Sequence, residues 1–250
     1  MRRWLLPALL LAALLGAWQL AASSGFLADV LGLESFLVPS PAEVAESLWN
    51  SRALLAENAW VTLREILLGL VCALLIGVGF AVLMHLSGTV RDASYPLIVA
   101  SQTIPIVVIA PILLVWLGFG IGPKVVVVAL ICFFPITVNV LDGLSSAAPA
   151  AIKMMRTLDA SRWQIFCRVE TPTALPSFFT GAKIAVVLAP IGAVFGEWVG
   201  GSSGLGHLIL TDNAYLEVAR EFAAVFVLSV MALILIGLLA LAERRVVTWR

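Results

Sequence analysis

Six stretches of the chain stay apolar for long enough to cross a bilayer: residues 4–22, 66–84, 96–119, 125–141, 177–196 and 222–242. About 20 apolar residues, each rising 1.5 Å, cover the roughly 30 Å of hydrocarbon. A backbone that cannot bond to water there must bond to itself, so each stretch is predicted to be a helix. Lys183 is the single ionisable residue in all six, and it lies near an end of its span, where its stem can carry the charge to the headgroups. The second span places Gly69, Ala73, Gly77 and Ala81 four apart, a smooth stripe that admits another helix closely.

Two of the connecting segments carry helix signals of their own. Ser40-Pro41-Ala42-Glu43 reads as an N-cap, a first-turn proline and an N3 acid. The short helix it starts has Val44, Ala45, Leu48 and Trp49 on one side and Glu43, Glu46 and Ser47 on the other, which suits the outer membrane surface. The loop 143–176 holds two starts, Pro149 and the capping box Ser161/Gln164, with Asp159-Ala160 between them. Two short helices joined by a turn are expected. The second presents Trp163, Phe166 and Cys167 on one face, and an exposed aromatic face needs a protein partner or the membrane surface.

Composition agrees with the spans. The chain is 62% hydrophobic and only 12% charged, with mean hydropathy +1.08, which excludes a water-soluble globule. Fifteen basic and fifteen acidic residues cancel, so no basic field gathers nucleic acid. Basic residues set orientation. With the N-terminus inside, the inner set is Arg2, Arg3, Arg91, Lys153, Arg156, Arg162, Arg168, Lys183, Arg244, Arg245 and Arg250, against Arg52, Arg64, Lys124 and Arg220 outside. Both termini are therefore expected to be cytoplasmic, and Glu65 falls among the external acids. The alternative for the first 24 residues is a cleaved signal peptide ending in small residues at Ala21-Ala22-Ser23. The apolar run is long for a leader, and its removal would put the two ends on opposite sides, so a retained span is the preferred reading.

Little points to chemistry. Cys72, Cys132 and Cys167 are scattered and read as packing residues, and His85 and His207 have no neighbour at ligand spacing, so no metal is expected. None of Lys124, Lys153 and Lys183 follows glycine, which rules out a phosphate-binding loop of the Walker type. Ser202-Ser203 near His207 and Asp212 lacks the strand-turn-helix setting of a nucleophile elbow. An enzyme is not expected, nor a cofactor bound by this chain.

The run from Pro149 to Lys183 resembles the cytoplasmic signature loop of binding-protein-dependent ABC importer permeases. Val38-Pro39-Ser40-Pro41, Ile104-Pro105 through Ala110-Pro111 to Gly118-Phe119-Gly120, Pro123-Lys124, and Gly196-Glu197 with Gly204-Leu205-Gly206 are similar to the nitrate/taurine/sulfonate branch of that family. The resemblance implies an all-α membrane protein with type I importer permease architecture, one permease domain over residues 1–250, and a coupling loop at 143–176. It also implies a homodimer in lipid, a cytoplasmic ATPase subunit that holds the ATP, and an external solute-binding protein. Lys153-Met154-Met155 stand where the family has Glu-Ala-Ala, Asp159 where it has a glycine, and Thr171-Pro172 where it has Leu-Pro. Asp tolerates positive φ better than most residues, so the turn should survive. Ala160, Arg162, Trp163 and Phe166 are the residues expected to enter the ATPase groove.

For a permease, the pathway is expected where helices are irregular or polar. Pro96, Pro105 and Pro111 interrupt the third span, and Ser101, Gln102 and Thr103 form its polar patch. Asn139 in the fourth span and Glu197 at the outer end of the fifth are the other candidates, Glu197 as an acid bordering an apolar run. Trp116 and Trp198 read as interfacial belt residues. Two rival readings are a self-sufficient secondary transporter, which would need buried charges for ion coupling and an inverted repeat, and a membrane assembly factor without transport. Solutes handled by the branch include nitrate, sulfonates, taurine, bicarbonate, thiamine-pyrimidine precursors and riboflavin. The run Leu117-Gly118-Phe119-Gly120-Ile121-Gly122-Pro123-Lys124 leans toward the last two, within a class of small anionic or heterocyclic solutes.

Overall fold

Five of the six predicted spans lie within continuous helices, and the 96–119 span is broken into two. A computed structural model describes residues 2–249. Met1 and Arg250, the latter one of the inner charges counted above, lie outside the described residues, as do the side chains of Arg2, Arg3 and Trp4. The helices are α1 (Arg2–Ser23), α2 (Phe26–Leu31), α3 (Pro41–Asn50), α4 (Arg52–Leu86), α5 (Gly88–Ser101), α6 (Ile106–Leu117), α7 (Ile121–Ser145), α8 (Pro149–Thr157), α9 (Arg162–Ile165), α10 (Thr171–Gly200), α11 (Leu205–Tyr215) and α12 (Val218–Val246). A turn of 3-10 helix covers Ser35–Leu37, and a π turn covers Phe166–Glu170. Among the described residues no strand occurs.

The third predicted span is not one rod. It is α5 and α6, bent by 101° about residues 102–105. Pro105 explains the corner: it cannot donate to a continuing helix, and it disfavours helical geometry at Ile104. Pro105 instead caps α6 in extended conformation. Among the described residues, counting the bent pair as one crossing gives six spans, and five helices qualify without it.

The chain divides into two compact units, residues up to Val61 with Ser203–Ser229, and Thr62–Ser202 with Val230 onward. In the first, the predicted capping box of α3 forms in both directions. The Glu43 N–H reaches Ser40 Oγ at 3.4 Å, and the Ser40 N–H donates to Glu43 Oε2 at 2.6 Å. Arg52 lies over the Trp49 ring, 4.8 Å from its centroid. Arg220 grips buried Asp212 with two nitrogens, Nη2 at 2.6 Å and Nε at 3.0 Å. Asn58 Oδ1 accepts from the Gly204 N–H at 2.7 Å.

The second unit is built on the packing of α7 against α10. Val128, Cys132 and Ile136 of α7 and Ala185, Ala189 and Ala193 of α10 are fully buried. Glycines set the approach. A Cβ at Gly181 would stand 2.7 Å from Pro135 O, and one at Gly192 would stand 2.9 Å from Val128 Cα. The stripe on α4 serves the same end, since a Cβ at Gly69 would overlap the Val128 side chain and Ala73 and Ala81 are fully buried. Lys183 is paired with Glu243 of α12.

Candidate functional site

Pro149 occupies the first turn of α8, as the sequence predicts. The helix ends in a Schellman arrangement: the Ala160 N–H donates to Met155 O at 3.0 Å and the Asp159 N–H to Arg156 O at 3.1 Å. Asp159 has φ 53°, the left-handed position that glycine adopts at least cost. The predicted turn therefore stands with Asp in a glycine place. Ser161 then opens α9 with a closed capping box, its Oγ accepting from the Gln164 N–H at 3.2 Å and Gln164 Oε1 accepting from the Ser161 N–H at 2.8 Å.

The second short helix does not end where the prolines suggest. α9 passes through the π turn, whose closing bond runs from the Thr171 N–H to Phe166 O, and continues into α10. Pro172 falls in the first turn after it, where a missing N–H costs the helix little. Such a π turn marks a place where helix register is locally adjusted.

Trp163 is 65% exposed and stacks on Phe166, with ring centroids 5.3 Å apart. Phe166 is buried, and its ring lies 6.4 Å from that of His85, near the end of α4. Lys153 and Met154 are exposed, while Met155, Ala160 and Pro172 are half-buried. Beneath α9 lies a group that spacing did not reveal. Arg162 Nη1 donates to Glu170 Oε1 at 2.5 Å, and His85 Nε2 lies 2.9 Å from Glu170 Oε2. An ionised carboxylate only accepts, so this contact puts the hydrogen on Nε2. Glu170 is buried. Burial alone would raise its carboxyl, but the bonds and charge supplied by Arg162 and His85 bring it below the usual carboxylate range. His85, read from the sequence as isolated, thus has a partner 85 residues away.

At the other end of the unit, Glu197 is fully buried and Glu65 is 1% exposed. Thr62 Oγ1 donates to Glu197 Oε1 at 2.6 Å, and Lys124 Nζ donates to Glu65 Oε1 at 2.7 Å. This corrects the placement of Lys124 and Glu65 in connecting segments: each lies inside a helix and is buried, the two side chains meeting in a 2.7 Å hydrogen bond. Gly196 allows the close approach, since a Cβ there would stand 3.0 Å from Lys124 Cα. Glu197 is thus joined to α4 through Thr62.

Ser101, Gln102 and Thr103 sit together, exposed, at the α5/α6 corner. Ser101 Oγ and Thr103 Oγ1 donate to Ile98 O and Ala100 O at 2.6 and 2.7 Å, adding side-chain bonds to carbonyls in the last turn of α5. Asn139 is half-buried, with its amide on Pro135 O at 2.7 Å within its own helix. The structure therefore gathers the coupling residues on one segment and does not gather the pathway residues at one point. Long-range pairs such as His85/Glu170 and Glu65/Lys124 leave no trace in local periodicity. The one usable signal was an acid next to an apolar run, which Glu65 shares with Glu197.

Residues 66–248 match the family described as binding-protein-dependent transport system inner membrane component. The chain is 39% identical over 233 residues to a probable ABC transporter permease protein of Haemophilus influenzae, covering 93% of each. It is 36% identical to the formylaminopyrimidine transport permease protein ThiX of Halalkalibacterium halodurans, covering 98% of this chain and 95% of the relative. Among solved structures, an amino acid ABC transporter with histidines superposes with TM-score 0.65 at 19% identity, over 80% of this chain and 97% of the other. That last likeness concerns the fold.

Proposed function

Because the chain belongs to the family of binding-protein-dependent transport system inner membrane components, we propose that its 149–170 segment is where an ATPase subunit grips it and drives solute movement. The chain is the multi-pass inner-membrane subunit of an ATP-driven importer, a transport component and not an enzyme. In this reading both termini are cytoplasmic, two copies form the channel in lipid, ATP stays on the partner, and an external binding protein delivers the solute. The observation that carries the reading is Trp163: a large exposed aromatic, held at a fixed angle by Phe166 beneath it, on a capped helix. Exposed aromatics anchored in this way are what binding hot spots are made of.

The polar corner at Ser101, Gln102, Thr103 and Pro105 is the proposed pathway lining, as the place where a span opens its backbone. Asn139, bonded to Pro135 O within α7, and Glu197, bonded to Thr62 of α4, are the other proposed pathway residues. Likeness to the formylaminopyrimidine permease supports a substituted pyrimidine as solute; riboflavin is the alternative. Trp163→Glu is expected to abolish co-purification of the ATPase while the spans still insert. Unchanged co-purification would refute the docking assignment. Transport down an ion gradient by the chain alone, without ATP, would favour the secondary-transporter reading.

A further inference from the structure

We infer that Glu170 is a positioning residue that locks the ATPase-facing helix to the end of α4, so that α9 and α4 move as one piece; this rests on the docking role proposed for Trp163. Two parallel routes run inward from the exposed helix. The first is aromatic, from Trp163 to Phe166 at 5.3 Å and from Phe166 to His85 at 6.4 Å. The second is ionic, from Arg162 to Glu170 at 2.5 Å and from Glu170 to His85 at 2.9 Å. Both routes therefore finish on one residue of α4. Glu170 is the last residue of the π turn, so the clamp sits where the helix register is least regular and α9 would otherwise be freest to turn on α10. A buried carboxylate satisfied on both oxygens has one geometry available to it, which makes the joint rigid. A push on Trp163 then reaches α4 as well as α10.

The test uses the full chain in nanodiscs with its ATPase partner. Spin labels are placed at Leu83→Cys on α4 and Arg168→Cys on the π turn, both exposed, in a background lacking Cys72, Cys132 and Cys167. With Glu170 intact, the distance distribution between the labels should be narrow and should stay so when MgATP and vanadate are added. Glu170→Ala should lose the narrow distribution while the ATPase still co-purifies. Glu170→Gln, which can still accept from Arg162 and meet His85, should restore it. His85→Ala combined with Glu170→Ala should be no worse than Glu170→Ala alone. A distribution as narrow in Glu170→Ala as in the parent, or no restoration by Glu170→Gln, would overturn the joint. If Trp163→Glu retained the ATPase, the docking reading would fail first, and the two failures would be told apart.

Discussion

At the scale of single residues, the second unit depends on charges that neutralise each other and on missing methyl groups. Lys124→Met leaves the Glu65 side chain buried near Glu197 without the hydrogen bond that Lys124 gives it. Removing one partner of a buried pair costs about 3–5 kcal/mol, whereas replacing both by apolar groups is often neutral. Thermal unfolding in detergent should therefore show a large loss for Lys124→Met and recovery of most of it in Lys124→Met with Glu65→Leu; additive losses would contradict the pairing. Gly181→Ala should lower stability by roughly 1–3 kcal/mol, because the new Cβ meets Pro135 O, a backbone atom that cannot swing away. Gly79→Ala, with nothing within 4 Å, is the control and should be neutral or slightly stabilising. Glu170 adds a pH dependence. Its carboxyl is held below the ordinary range, so its contribution is present above the unfolded value of about 4.3 and fades as pH falls through the lowered folded value. The melting-temperature gap between the parent and Glu170→Gln should be seen at neutral pH and close in acid; a gap independent of pH would argue against an ionised Glu170.

At the scale of elements, what the sequence made legible was local. The Ser40/Glu43 and Ser161/Gln164 boxes, Pro149 at a helix start, and tolerance of positive φ at Asp159 all follow from rules that act within one turn. Asp159→Gly should hold the α8–α9 turn at least as well, while a β-branched Asp159→Val should cost roughly 1–2 kcal/mol and loosen ATPase binding; equal binding by both variants would show that the turn geometry is unimportant. The Gly69 stripe was visible as a smooth face, though not the helix it meets, α7. The second, longer stripe on α10, through Gly181, Ala185, Ala189, Gly192 and Gly196, is less legible because its spacing is uneven and Pro190 and Phe195 interrupt it. The corner at residues 102–105 was half-legible: Pro105 signalled a disturbance, but hydropathy alone does not distinguish a kink from a 101° bend. The π turn was not legible, since no residue preference marks one and the nearby prolines pointed to a helix end.

At the scale of the whole molecule, the distribution of roles follows from what a membrane permits. Spans can carry little charge, and within the long helices Lys124 pairs with Glu65 and Lys183 with Glu243. Force has to enter from outside the apolar layer, through an element that presents a partner with rigid aromatic surface and is itself tied to the spans. The 149–170 segment meets both requirements, by Trp163 on its surface and by Phe166 and Glu170 beneath. The account stands or falls on which side of the membrane that segment faces. Cys167 is an exposed native thiol beside Trp163, whereas Cys132 is buried and Cys72 half-buried in helices. Labelling with a membrane-impermeant maleimide should modify Cys167 in inside-out vesicles free of ATPase and spare it in right-side-out cells. Modification of Cys167 from the outside would contradict the account.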